Sequence, residues 1–175
     1  PGWPQLVSAS RAGADGVEPS LEDLITKELE HLAKDWPTDI PAGVIHADMF
    51  PDNVFFLDGR LSGVIDFYFA CNDFLAYDIA VALNAWCFDI DFQFDPKKSA
   101  AFLKGYQRHR RLTETERDAL PTLCRGAALR FLLTRLYDWL NVPPGALVVP
   151  HDPKAFSARL RHFQTVMHAR DLGLA

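Results

Sequence analysis

Leu21, Leu24, Ile25, Leu29 and Leu32 recur at helical spacing behind Ser20, and Asp23 completes a capping-box-like start, which predicts a helix. "WPTDIPAG" ends it, because two prolines cannot sit in a helix interior. The first 19 residues, rich in Gly, Pro, Ala and Ser, show no such period and read as irregular. After Pro41 the period changes. "GVIHA" predicts a short strand, "DMFPDN" a loop, "VFFL" a second strand, "DGR" a tight turn and "LSGVIDF" a third strand. Asp58-Gly59 between apolar runs is a strong hairpin signal.

Beyond "ACND" the pattern is helical. Residues 74–88 form one apolar helix, and Asp95-Pro96 reads as N-cap and first turn of another that runs to about Arg110. Thr113 and Glu116 make a capping box for a short helix, which Pro121 is expected to divide from a long one, "TLCRGAALRFLLTRLYDWLN". "VPPGALVVP" is a loop, and Asp152-Pro153 caps a last helix through about His168. No repeat or low-complexity tract appears. The expected fold class is α+β, mostly helical, with one small β-hairpin element.

Composition narrows the function classes. A chain of 175 residues suits one domain, and 49% apolar with 23% charged residues is ordinary globular composition. Formal charge is −5, and the densest basic patch, "RHRR" at 108–111, is too short for a nucleic-acid surface; it reads as a solvated helix end. Cys71, Cys87 and Cys124 are widely spaced with no C-x-x-C, which argues against a disulfide framework or zinc site and fits a reducing, cytoplasmic setting. No apolar run reaches the roughly 18 residues of a membrane span. The N-terminal "PGWPQLVSAS" lacks the features of a signal peptide, and with no initiator Met the chain reads as a fragment. Nothing in the composition fixes an oligomeric state.

The informative stretch is "VIHADMFPDNVFFLDGRLSGVIDF", where His46, Asp48, Asn53 and Asp66 punctuate an almost wholly apolar run. Carboxylates among Val, Ile and Phe are expensive to desolvate unless something cationic or protic meets them. The order H-x-D-x-x-x-x-N, then a hairpin, then hydrophobic-D-F is that of a phosphoryl-transfer catalytic loop. Asp48 suits the carboxylate that faces an acceptor hydroxyl, orients it and takes its proton. Asn53 and Asp66 offer hard oxygens suited to holding Mg²⁺ against the phosphates of ATP. Each alone is ordinarily a turn former, a cap or a strand end; together and in order they are specific. His46 is expected to brace the loop backbone, and Asp52 to face solvent.

"VIHADMFPDN" and "GVIDFYFACNDFLAYDIAVALNAWCF" resemble the C-terminal lobe of the aminoglycoside phosphotransferase/choline kinase superfamily, and within it the homoserine kinase branch of threonine biosynthesis. The likeness continues through "ALRFLLTRLYDWLN" and "PPGALVVPHDP", and so covers most of the chain. It implies a protein-kinase-like fold, ATP and Mg²⁺ as cofactors, a small hydroxyl-bearing substrate with homoserine favoured, a catalytic Asp48 and metal-binding Asn53 and Asp66. Such kinases also need a phosphate-covering loop and a strand Lys paired to a helix Glu. Neither G-x-G-x-x-G nor G-x-x-x-x-G-K-[ST] occurs, and the lysines all fall on or beside expected helices. Residues 1–175 are therefore expected to be the large lobe alone, without the N-terminal ATP-binding lobe and with little activity by themselves.

For an amino-acid acceptor, Arg130 and Arg135 on the long helix are candidate carboxylate binders, since Arg suits planar bidentate recognition. The competing reading is an internal ion pair to Asp78 or Asp138. Asp78, inside an apolar helix, is expected to anchor the catalytic loop, and Trp86 to fill the core. Rival functions are a sister kinase for aminoglycoside, choline or a similar alcohol, a phosphohydrolase with His46, Asp48 and Asp66 as metal ligands, and a non-catalytic helical binding module.

Overall fold

The computed structural model describes residues 3–143, 145–147 and 149–174. In chain order it comprises helices α1 (Trp3–Arg11), α2 (Ala14–Val17) and α3 (Leu21–Asp35), strands β1 (Ala42–Ile45), β2 (Val54–Leu57), β3 (Arg60–Val64) and β4 (Cys71–Phe74), and helices α4 (Leu75–Trp86), α5 (Pro96–Gln107), α6 (Glu114–Leu140) and α7 (Lys154–Gln164). The expected α+β class with helical predominance is what the chain adopts.

The core is helical. Helix α6 is its axis, with α4 and α7 packed along it and α1 and α3 against its flanks. Leu120, Leu123, Leu129, Leu132, Leu133 and Leu136 of α6 are fully buried, as are Ile79 and Leu83 of α4 and Leu160 and Phe163 of α7. Removing such surface from water is the dominant favourable term. Two devices, one polar and one steric, lock the helices in register. Glu28 of α3, fully buried, takes the Arg125 fork at 2.7 Å on each oxygen and a further 2.8 Å bond from Gln164. Gly126 lets α3's end close in, because a Cβ there would stand 2.3 Å from the Trp36 ring.

Several boundaries differ from the sequence expectation. The N-terminal segment is helical because Leu6 and Val7 of α1 pack on the core and the buried Ser10 hydroxyl donates to the Leu133 carbonyl. Ser20 is left-handed (φ 63°) and makes no side-chain cap; Asp15 supplies the acceptor instead, taking the Glu22 amide at 2.8 Å. Pro121 does not divide α6. The residue is buried inside a helix that starts from the expected Thr113–Glu116 capping box, and burial along its length outweighs the missing hydrogen bond. Asp95 caps α5 through the Lys97 and Lys98 amides, as expected, but α5 ends at Gln107. Asp152 holds the Lys154 amide at 2.9 Å, while α7 stops at Gln164 and a separate turn follows at Ala169–Leu172. Within the expected loop "VPPGALVVP", positions 144 and 148 lie outside the described residues.

The strands form two antiparallel pairs: β2 with β3, the expected hairpin, and β1 with β4. The second pair sets Ala42 opposite Phe74 and Ile45 opposite Cys71, although "ACND" carries no apolar alternation. The third strand stops at Val64, so Asp66 sits beyond its end. Both pairs project one end toward the same place, the loop that follows Ile45.

Candidate functional site

That loop is fastened from below. Asp78, in the first turn of α4, accepts the His46 amide at 3.1 Å and the Ala47 amide at 2.8 Å. Ala47 is left-handed (φ 61°), a conformation that costs a side-chain-bearing residue about 1 kcal/mol or more and persists only when surroundings impose it. Its carbonyl accepts Arg130 Nη1 at 2.6 Å, and the next carbonyl but one, Met49, accepts the Trp86 indole N–H at 2.8 Å. Trp86 is thus a partly exposed brace as well as a packing residue.

His46 is 4% exposed and both ring nitrogens are engaged. Nδ1 accepts the Asp48 amide at 3.2 Å, so the neutral ring carries its proton on Nε2, which lies 2.9 Å from the Ile65 carbonyl. One imidazole thereby ties the residue preceding Asp66 to the residue bearing the Asp48 carboxylate. A second tie runs through Asn53, whose carbonyl accepts the Ile65 amide at 3.0 Å.

Asp48, Asn53 and Asp66 line one cavity of about 180 Å³, together with Phe50, Asp52, Phe131 and Arg135. The Asn53 amide nitrogen donates to the Asp48 carbonyl at 2.8 Å and faces its carboxylate at 3.4 Å. With the nitrogen committed, Oδ1 is the atom left for a ligand, and this assignment follows from the hydrogen-bond network. Asp66 is exposed and left-handed (φ 60°, ψ 63°), which turns its carboxylate off the strand line. Burial raises the Asp48 carboxyl above the ordinary aspartate range; Arg130 opposes this and the Asp66 carboxylate adds to it. Asp52, though exposed, belongs to the cavity rim.

Arg130 and Arg135 part company. Arg130 stays with the loop backbone, its guanidinium 5.2 Å from the Phe69 ring and 4.6 Å from the Phe131 ring, and it lines a larger apolar cavity of about 630 Å³ with Trp36, Cys71, Asp73 and Tyr77. Arg135 lines the cavity of the acidic pair. Among the described residues neither forms an ion pair with Asp78 or Asp138: Asp78 is spent on backbone amides, and Asp138 lies farther along α6 beside Pro143 and His151. Arg159 of α7 was not a candidate by sequence, yet it stands beside Arg135 over Phe156. In a linear reading it is one more charged residue on an amphipathic helix, and no local signal marks it.

The oxygens at this cavity suit a hard divalent cation: a carboxylate from Asp66, the free Asn53 Oδ1 and a neighbouring Asp48. Among the described residues no group of three or more His, Cys, Asp and Glu is arranged to hold a metal. With both nitrogens of His46 engaged, a ligand set built on that imidazole is excluded by geometry. No helix is long and apolar enough to cross a membrane among the described residues.

Comparison with known proteins gives a coherent result. The sequence profile of the phosphotransferase enzyme family matches residues 2–112. A homoserine kinase of Bradyrhizobium diazoefficiens is 58% identical over 174 residues, which is 99% of this chain and 53% of that protein. One from Xanthobacter autotrophicus is 59% identical over 99% of this chain and 54% of its own length. The chain spans about half the length of the curated relatives it matches. Among solved structures, an ethanolamine kinase of Plasmodium vivax superposes with a TM-score of 0.54 at 19% identity, covering 87% of this chain and 40% of that one. This likeness bears on the fold alone, and it agrees with the kinase-like lobe expected from sequence.

Proposed function

Because the chain belongs to the phosphotransferase enzyme family, we propose that it carries the catalytic loop of an ATP-dependent kinase whose acceptor is a small hydroxyl compound, homoserine before others. The observation that carries this reading is the convergence of Asp48, Asn53 and Asp66 on one cavity, from a loop and a strand end that a single buried imidazole ties together. The choice of homoserine rests on relatives of that name at 58% and 59% identity.

In this reading Asp48 is the catalytic residue. Its partly desolvated carboxylate accepts a hydrogen bond from the acceptor hydroxyl, aligns the oxygen for attack and takes the proton as the phosphoryl group arrives. Asn53 and Asp66 would hold magnesium, which when bound neutralises phosphate charge. His46, Asp78, Arg130 and Trp86 are positioning residues: each fixes a backbone amide or carbonyl of the loop, so Asp48 is pre-aimed. The exposed apolar side chains of the hairpin (Phe55, Phe56, Leu57 and Leu61) suit the seating of a nucleotide and of the lobe that covers it, the role this chain would play as a large lobe.

The test is Asp48→Ala in the native protein that carries this chain. A positioning and general-base role predicts a fall in kcat on the order of 10²- to 10⁴-fold. Near-normal turnover would remove the assignment. Asp66→Asn should raise the magnesium concentration needed for half-maximal rate. Aminoglycoside or choline kinases would use the same three side chains, and an acceptor profile led by either would move the reading to that branch.

A further inference from the structure

Arg135 of α6 and Arg159 of α7 converge on one aromatic ring. Their guanidinium carbons lie 4.5 and 4.4 Å from the centroid of Phe156, which is fully buried. No hydrogen bond or ion pair engages either guanidinium among the described residues, and the Arg159 Nε is buried without an acceptor. Arg–phenyl stacking accounts for part of this placement. It does not account for two like charges held side by side, each only partly exposed to water, where their repulsion is less screened than at the surface. Burial lowers Arg135, with Asp52 and Asp152 pulling the other way from beyond ion-pair distance. Burial and then the charge of Arg135 bring Arg159 down to about 10. Among the described residues no carboxylate closes on either guanidinium at ion-pair distance.

The place where a negative charge would sit is defined, because Arg135 lines the same cavity as Asp48. We propose that Arg135, backed by Arg159 through Phe156, binds the carboxylate of the acceptor, so that the substrate is a hydroxy acid of the amino-acid class and not an amino alcohol. The inference rests on the kinase reading and adds to it the group by which the acceptor is chosen. The Arg135 fork matches a planar carboxylate. A cavity of about 180 Å³ suits a small head group. Arg159 is a positioning residue: its charge raises the potential at Arg135 and its stacking fixes Phe156 beneath.

The experiment compares L-homoserine with its reduced analogue, in which hydroxymethyl replaces the carboxylate, by calorimetric binding and by steady-state kinetics in the native protein. The wild type should favour homoserine, and Arg135→Met should raise its KM and Kd on the order of 10- to 100-fold while leaving the analogue unchanged. Arg159→Met should move KM in the same direction by less, with kcat preserved, and Arg135→Lys should restore part of the discrimination. Nucleotide KM should stay constant throughout. A folded Arg135→Met protein with wild-type homoserine affinity overturns the proposal, and so does a shift confined to nucleotide KM, which would assign the pair to phosphate. Discrimination in binding without turnover would sink the kinase reading and leave the carboxylate site standing; turnover without discrimination would do the reverse.

Discussion

Asp78 holds two consecutive backbone amides of the loop that carries Asp48, those of His46 and Ala47, one on each carboxylate oxygen. An apolar helix thus reaches out of the core to fix the point where β1 becomes the loop. Asp78→Ala leaves both donors without an acceptor, and with about 1–3 kcal/mol for each such group the loss of stability should be roughly 2–6 kcal/mol. Urea unfolding measures it. Asp78→Asn, which keeps one oxygen, should lose about half as much. An unchanged unfolding midpoint in the alanine variant would mean that the loop holds its shape without this anchor.

Glu28 and Arg125 make a second buried dependence, this one between α3 and α6. Arg125→Met strands a fully buried carboxylate and should destabilise by about 3–5 kcal/mol. The double variant Glu28→Met/Arg125→Met should recover most of that, because two well-packed methionines bury no charge. Thermal and denaturant unfolding of the three proteins test the coupling. Equal losses in the single and double variants would show that the helices need the ion pair for its geometry and not merely for its neutrality.

His162 gives the fold a pH dependence. It stacks on Phe94 at 4.4 Å with its Nε2 buried and without a hydrogen-bond partner among the described residues, and burial lowers its pKa. The unfolded chain therefore binds the proton more readily, with a pKa near 6.5. Stability is complete above about pH 6.5 and is lost as pH falls below it. His162→Phe removes the titrating group at similar volume. Its unfolding midpoint should fall less steeply than that of the wild type between about pH 6.5 and 5. Parallel profiles would assign the acid sensitivity to other groups.

What could be read from sequence and what could not divide along a physical line. His46, Asp48, Asn53 and Asp66 stood out because polar groups interrupted an apolar run, and such interruptions require partners. Asp95 and the Thr113–Glu116 box were visible because capping is local chemistry. The pairing of β1 with β4 was not, since Cys71, Asn72 and Asp73 have no apolar alternation and their partners lie far off in sequence, from 26 residues for Ile45 opposite Cys71 to 32 for Ala42 opposite Phe74. Pro121 misled for a related reason: a helix interior tolerates proline when tertiary burial is large enough, and burial is not a local property. Arg159 was invisible because its meaning depends on Phe156 and on a residue from another helix.

Gly126 extends the same lesson to the larger apolar cavity. Trp36, whose ring occupies the space a Cβ at 126 would need, is also a wall of that cavity and stands edge-on to Tyr77, 6.1 Å between centroids. A methyl group added at 126 would push the indole toward the chamber. Its width is accordingly governed from behind, by an atom that is not there, and its shape can drift between related chains while every residue facing the interior stays the same.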